Sequence, residues 1–160
     1  MPVKPLSQAC ACSCGASKFT VNGRPITRLL CHCLICQSIY RQPFADVTEF
    51  WAGAVHISDE NKIQFKKHRP PPAVSRGTCP SCGAPVVGFM RLAPFARLAF
   101  VPSRNFSSPA ELPAPSAHIF YHRRLKDVAD ELPKVNGYWP SKLAAGSLVI
   151  RSMFRGPGDA

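Results

Sequence analysis

The chain has 160 residues, of which 46% are hydrophobic, and it carries a formal net charge of +11. This length suits one domain with a single core, and the apolar content excludes an intrinsically disordered chain. The 17 prolines and 10 glycines favour short elements joined by turns and argue against long helices.

The first nine residues are predicted to form a loose leader. They contain no apolar run that could be the core of a signal peptide, and no segment of the chain is apolar for long enough to span a bilayer. We therefore expect a cytoplasmic protein that does not enter a membrane. In that reducing compartment, its eight cysteines are expected to be metal ligands, because structural disulfides are rare there.

Short strands are predicted along most of the chain between residue 10 and residue 139. Alternating or β-branched runs bounded by turn residues occur at 18–21, 28–30, 50–51, 55–57, 63–65, 86–90, 98–101 and 118–121. Residues 102–117 are rich in proline and serine and are predicted to be a loop. The fold class expected from these elements is mainly β.

One short helix is predicted near residues 123–132. Its apolar residues at 125, 128, 129 and 132 follow helical spacing, and Pro133 stops the pattern. Residues 141–160 are predicted to be a C-terminal tail. The chain is thus divided into a leader (1–9), a single metal-containing domain (10–140) and the tail.

Four cysteines are predicted to form a closed metal site. In Cys79-Pro80-Ser81-Cys82-Gly83 the proline pre-sets a turn and the glycine permits a positive φ, so that backbone N–H groups can face the sulfurs. Cys12-Ser13-Cys14-Gly15 is a similar turn and supplies two further ligands. Four thiolates around one ion are typical of structural zinc, which contributes folding energy directly.

A second group has only three cysteines, in Cys31-His32-Cys33-Leu34-Ile35-Cys36. Three protein ligands and one open position are typical of catalytic zinc. Cys10 is an alternative fourth ligand, and it would close the site and make it purely structural. His32 is a less favoured ligand, because the middle residue of a C-x-C turn points away from the metal.

These three motifs, in this order, resemble those of the glutathione-dependent formaldehyde-activating enzyme family, which includes centromere protein V-like proteins. The resemblance covers roughly residues 10 to 140, and outside the cysteine motifs it extends to Phe19, Pro43-Phe44, 115–119 and Leu132-Pro133. It implies a fold similar to the zinc-containing β-tent. It also implies two zinc ions, a structural one on Cys12, Cys14, Cys79 and Cys82 and a catalytic one on Cys31, Cys33 and Cys36.

The activity that the resemblance implies is formation and cleavage of a carbon–sulfur bond, in which glutathione and formaldehyde combine as S-hydroxymethylglutathione. At position 41, where the family often has glycine, this chain has Arg41. A guanidinium beside an open zinc site could bind a substrate carboxylate, although it could equally face solvent. Phe44 is a second candidate for substrate contact and is otherwise a core residue. His118 and His122 are predicted to be strand residues and not bases, since no carboxylate partner lies near them in sequence.

Two function classes follow from these features. The first is a zinc-dependent carbon–sulfur lyase acting on a thiol–aldehyde adduct, with glutathione as the small thiol substrate. The second is a non-catalytic, zinc-stabilised module whose basic surface binds an acidic partner. Nucleic acid is not the expected partner, because stacking aromatics interleaved with basic residues are not evident. A redox role for the three-cysteine group is a more distant third.

Overall fold

The computed structural model describes residues 4–71 and 73–154. It has ten strands and two α-helices within this part of the chain, so the predicted mainly β class is confirmed. The strands are β1 Leu6–Ala11, β2 Lys18–Gly23, β3 Thr27–Cys31, β4 Ala45–Trp51, β5 Val55–Ile57, β6 Gln64–Lys67, β7 Ser75–Thr78, β8 Pro85–Ala93, β9 Ala96–Pro102 and β10 Ala117–Ile119. The helices are α1 Leu34–Tyr40 and α2 Tyr138–Met153.

The strands form two sheets. The smaller has three strands in the order β1-β2-β5, and the larger has seven in the order β10-β3-β4-β9-β8-β7-β6. Neighbouring strands are antiparallel except β10 and β3, which run parallel. Short antiparallel strands with many turns are what the high proline and glycine content predicts.

The main core lies between the two sheets. Phe19 and Val21 of β2 pack there with Phe50 of β4 and Val101 of β9, and all four side chains are buried. Phe19 and Val21 alternate along β2 with exposed residues, as expected for a strand with one buried face. The sheets are therefore held together by apolar burial as well as by any metal.

Helix α2 packs on the opposite face of the seven-stranded sheet. Its Ala145 and Leu148 contact a cluster that contains Leu29, Cys31 and Cys36, whereas its Val149 belongs to a neighbouring cluster with Ile26 and Leu98. The buried side of α2 consists largely of small residues, including Ser141 and Ala145, which allow close approach to the sheet. The three-cysteine segment consequently lies beneath this helix.

The predicted helix near residues 123–132 is wrong. One 3-10 turn covers Tyr121–Arg123, and the described residues 124–137 that follow contain no helix. Tertiary contacts override the local periodicity, because Tyr121 Oη accepts the Val128 N–H at 2.8 Å and fixes an irregular loop. Leu125, which belongs to the apparent apolar stripe, is 70% exposed.

The predicted leader and tail both contain regular structure. Residues 6–9 are part of β1, and most of the predicted tail is helix α2. Pro140 is compatible with this helix because it lies in the first turn, where its missing N–H has no partner to lose. Residues 1–3 and 155–160 of these two segments lie outside the described residues, and the domain boundaries stay a prediction.

Candidate metal centres

Two turns bring four cysteines together at one end of the larger sheet. Cys12 and Cys14 follow β1, and Cys79 and Cys82 lie between β7 and β8. All four Sγ atoms lie within 4.8 Å of one another, with 3.5 Å between Cys12 and Cys14 and 3.7 Å between Cys14 and Cys79. Four sulfurs at about 2.3 Å from a tetrahedral zinc lie about 3.8 Å apart. This set therefore fits one zinc ion.

The glycines of both turns have the backbone geometry predicted from the sequence. Gly15 has a φ of +77° and Gly83 a φ of +70°, which side chains with a Cβ rarely adopt. The Gly15 N–H donates to Cys12 O and the Gly83 N–H to Cys79 O, which closes each turn. The Ser17 N–H donates to Cys12 Sγ at 3.3 Å. Such N–H groups stabilise thiolate charge at a metal site.

The second cluster consists of Cys31, Cys33 and Cys36, whose Sγ atoms also lie within 4.8 Å of one another. Cys31 ends β3, Cys33 is the residue before α1, and Cys36 lies in the first turn of that helix. Cys36 N–H donates to Cys33 Sγ at 3.4 Å. In residues 4–71 and 73–154, no further Cys, His, Asp or Glu joins the group. Three thiols with no fourth protein ligand are therefore available to one ion.

Neither alternative ligand belongs to this cluster. Cys10 is a buried core residue opposite Phe19 in the β1–β2 pair, and its Sγ is 4.0 Å from Gln8 O. Burial raises the pKa of its thiol to about 12. His32 turns away from the sulfurs, and its Nε2 is 2.8 Å from Nδ1 of His118.

The charges around the three cysteines favour a thiolate at Cys33. The thiols of Cys31 and Cys36 hydrogen-bond to the Cys33 sulfur and lower its pKa, and the Arg76 guanidinium acts in the same direction. These contacts and burial raise the pKa of Cys31. Arg76 Nη2 also donates to Cys36 Sγ at 3.9 Å. A cationic side chain thus adjoins the sulfurs from β7.

Helix α2 brings a second cation towards this cluster. Burial lowers the pKa of Lys142 and Arg69 adds to that effect, while Tyr138, Cys31 and Cys33 oppose it. The Lys142 side chain is half-buried. The three-cysteine cluster is therefore enclosed by a strand and a helix that each contribute positive charge.

The two residues predicted to contact substrate occupy different surroundings. Arg41 is exposed and has a φ of +50°, so it ends α1 in the left-handed conformation that glycine prefers. Phe44 is half-buried, with its ring centroid 5.0 Å from that of His32 and 5.9 Å from that of His118. Their roles towards substrate stay predictions.

His118 lies in β10, as predicted, whereas His122 lies in the 3-10 turn Tyr121–Arg123 and not in a strand. A carboxylate that is distant in sequence does reach His118 in the fold. His118 Nε2 is 2.9 Å from Oδ2 of Asp130, whose Oδ1 accepts from Lys134 Nζ at 2.7 Å. The backbone at Pro133 and Val135 returns beside β10, where the His118 N–H donates to Pro133 O and the Val135 N–H to His118 O. That non-local pairing, which leaves no signal in the sequence, brings Asp130 to His118.

Comparison with known families decides the relationship of this chain. The family model described as glutathione-dependent formaldehyde-activating enzyme matches residues 7–123, which include both cysteine clusters. The chain belongs to this family. A search of curated proteins gives no match.

Basic side chains adjoin the three cysteines of this glutathione-dependent formaldehyde-activating domain, and the sequence analysis did not predict them. Arg76 lies in a strand and Lys142 in a helix that were not predicted, so neither could be placed near the three-cysteine cluster. Helix α2, which carries Lys142, lies outside the matched residues 7–123. Neither helix in the described residues combines the length and the apolar character needed to cross a membrane.

Proposed function

We propose that this protein is a zinc-dependent carbon–sulfur lyase acting on a thiol–aldehyde adduct, most simply S-hydroxymethylglutathione. The observation that carries the proposal is the unequal pair of cysteine clusters in a chain of this family. One cluster has four thiols, and the other has three with no fourth protein ligand among the described residues. That difference is typical of a structural and a catalytic site in one protein.

Cys12, Cys14, Cys79 and Cys82 would hold the structural zinc, and Cys31, Cys33 and Cys36 the catalytic zinc. The zinc on the three thiols would supply a Lewis acid that stabilises a substrate thiolate or polarises the oxygen of the adduct. The assignment follows the chemistry of the donor sets. Soft thiolate ligands in tetrahedral arrangement select zinc over the harder divalent cations.

The protein's own side chains make the surroundings of the three cysteines suitable for an anionic thiol. Arg76 contacts Cys36 directly, and Lys142 belongs to helix α2, which packs against the cluster that contains Cys31 and Cys36. Glutathione carries two carboxylates, so these cations would draw it towards the cluster. The burial of Cys31 and Cys36 keeps bulk water from most of the site and strengthens these interactions.

The experiment compares Cys33→Ser with Cys10→Ser as a matched control, since Cys10 lies outside both clusters. Zinc is counted by native mass spectrometry, and the rate of exchange between formaldehyde and S-hydroxymethylglutathione is measured by NMR above the spontaneous background. We expect the wild type and Cys10→Ser each to bind two zinc ions and to raise the exchange rate above the spontaneous background by the same amount. Cys33→Ser should hold one zinc ion, stay folded and lose the acceleration.

A wild-type exchange rate in a folded Cys33→Ser protein would refute the lyase proposal. A zinc ion lost from Cys10→Ser would instead favour the binding module, because that result makes Cys10 a ligand. The control thus separates the two function classes with one set of proteins.

A further inference from the structure

A chain of buried polar side chains begins between two of the three clustered cysteines. The ring of His32, the residue between Cys31 and Cys33, is 1% exposed and its Nε2 lies 2.8 Å from Nδ1 of His118. His118 is 0% exposed, and its Nε2 lies 2.9 Å from Oδ2 of Asp130. The chain runs from the cysteine cluster to a partly exposed carboxylate.

The main chain of His32 is fixed as firmly as its side chain. Its N–H donates to Ile119 O at 3.0 Å, and its carbonyl accepts from Gln37 Nε2 at 2.6 Å. The rings of Phe44 and Tyr121 enclose the imidazole, with centroids 5.0 and 5.1 Å away. His32 therefore has little freedom to rotate, and neither has the turn that it centres.

The outer end of the chain is fixed as well. Asp130 accepts from Lys134 Nζ on Oδ1 and from His118 on Oδ2, so both oxygens have partners. Because an ionised carboxylate only accepts hydrogen bonds, His118 Nε2 is the donor, and its Nδ1 faces His32. Asp130 thus sets the orientation of His118, and His118 sets that of His32.

Stability alone is a poor explanation for this arrangement. His32 Nδ1 is buried without a hydrogen-bond partner in the described part of the chain, which costs free energy that an apolar side chain would not. A fixed histidine side chain between two cysteines has a geometric effect instead, since rotation of the 31–33 turn would move both sulfurs. Hydrogen-bonded groups behind metal ligands commonly have this function.

We propose that His118 and Asp130 are positioning residues that act through His32 to hold the Cys31 and Cys33 sulfurs in metal-binding geometry. The kinetic consequence rests on the proposed lyase function, whereas the positioning itself is independent of turnover. His118 and Asp130 would then tune a site that neither of them touches.

The test uses the full-length protein reconstituted with Co²⁺, whose thiolate charge-transfer and ligand-field bands report on ligand geometry. The spectrum of Cys33→Ser, which keeps only the four-cysteine cluster, is subtracted to leave the three-cysteine site. The test variants are His118→Asn, which keeps a polar atom near His32 but loses Asp130, and Asp130→Ala. His122→Asn is the matched control, because His122 is an exposed histidine outside the chain of His32, His118 and Asp130, and its Nδ1 accepts the Gly137 N–H.

We expect both test variants to bind two metal ions with altered bands from the three-cysteine site, and the control to match the wild type. In the zinc proteins kcat should fall by about 10- to 100-fold, with KM changed much less. If His118→Asn does not fold, Asp130→Ala decides, since that side chain is 32% exposed.

Wild-type bands and kcat in a folded Asp130→Ala protein would overturn the positioning proposal. If the wild-type protein itself shows no turnover, the lyase function is refuted. The Co²⁺ spectra would still show whether His118 and Asp130 position the cysteine sulfurs. The two proposals therefore fail by different results.

Discussion

Glu49 is a buried carboxyl group whose replacement by glutamine should change the pH dependence of stability. It lies in β4, is 3% exposed, and its Oε2 has no hydrogen-bond partner among the described residues. It lies on the same face of β4 as Val47 and Trp51, which belong to the clusters that pack against α2. Burial raises its pKa from an ordinary value of 4.5 to about 8.

The sign and size of the effect follow from proton linkage. The folded protein holds the Glu49 proton more tightly than the unfolded chain, so this residue lowers the free energy of unfolding as pH rises from 4.5 to about 8. The slope approaches about 1.4 kcal/mol per pH unit, and the loss between pH 5 and pH 7 is about 2.5 kcal/mol. Above pH 8 to 9 the Glu49 carboxyl is ionised in both the unfolded and the folded protein, so the loss of stability levels off. Glutamine has nearly the same shape and does not titrate.

The assay is urea unfolding of wild type and Glu49→Gln at pH 5, 7 and 9 in the presence of zinc. Comparison of the two proteins cancels the pH dependence of the thiolate ligands. Their difference in free energy of unfolding should grow in favour of Glu49→Gln by about 2.5 kcal/mol between pH 5 and pH 7. Glu131→Gln, at an exposed position, should show no such growth. Parallel pH curves for wild type and Glu49→Gln would refute a neutral buried carboxyl at position 49.

Two further substitutions test the surroundings of the three cysteines. Arg41→Gly should raise the free energy of unfolding in urea by about 1 kcal/mol, since Arg41 holds a left-handed φ that glycine adopts freely; an unchanged value would contradict that reasoning. A raised KM for glutathione in this variant would support the predicted substrate contact. Arg76→Met should raise KM about tenfold by removing the cation beside Cys36. Exposed Arg91→Met is its control, and equal KM values in the two variants would exclude Arg76 from substrate binding.

The parts of the fold that depend on local signals were predictable. Strands β2, β3, β8 and β9 follow from β-branched and alternating runs, and the positive φ of Gly15 and Gly83 follows from turns in which each glycine succeeds a cysteine. The two cysteine clusters are also recoverable from spacing, because ligands for one ion arrive from short turns. Each short cysteine motif is thus encoded in local sequence, whereas the contact between the Cys12–Cys14 and Cys79–Cys82 turns depends on the fold.

The parts that were missed depend on contacts between distant segments. Helix α2 has apolar residues on its exposed side, with Leu143 72% and Ile150 56% exposed, so it lacks the polar face that identifies a surface helix. The pairing of Asp130 with His118 likewise needs the return of residues 133–135 beside β10. No periodicity in the sequence reports either arrangement.

The two clusters differ in how they are joined along the chain, and this difference determines what each metal would do. The four-cysteine cluster joins Cys14 to Cys79, so its ion would close a long loop between β1 and the β7–β8 turn. Closing such a loop restricts the unfolded chain, and structural zinc of this kind contributes folding free energy. Cys31, Cys33 and Cys36 lie within six residues, so an ion there would close almost no loop.

That short span makes the geometry of the three-cysteine cluster depend on its surroundings. β3 fixes Cys31, the start of α1 fixes Cys33 and Cys36, and hydrogen bonds to His32 fix the turn between them. Most of the orientation of the sulfurs is therefore set by protein contacts before any ion binds. Loss of the first metal should destabilise the whole domain, whereas loss of the second should leave the fold in place and remove only the chemistry.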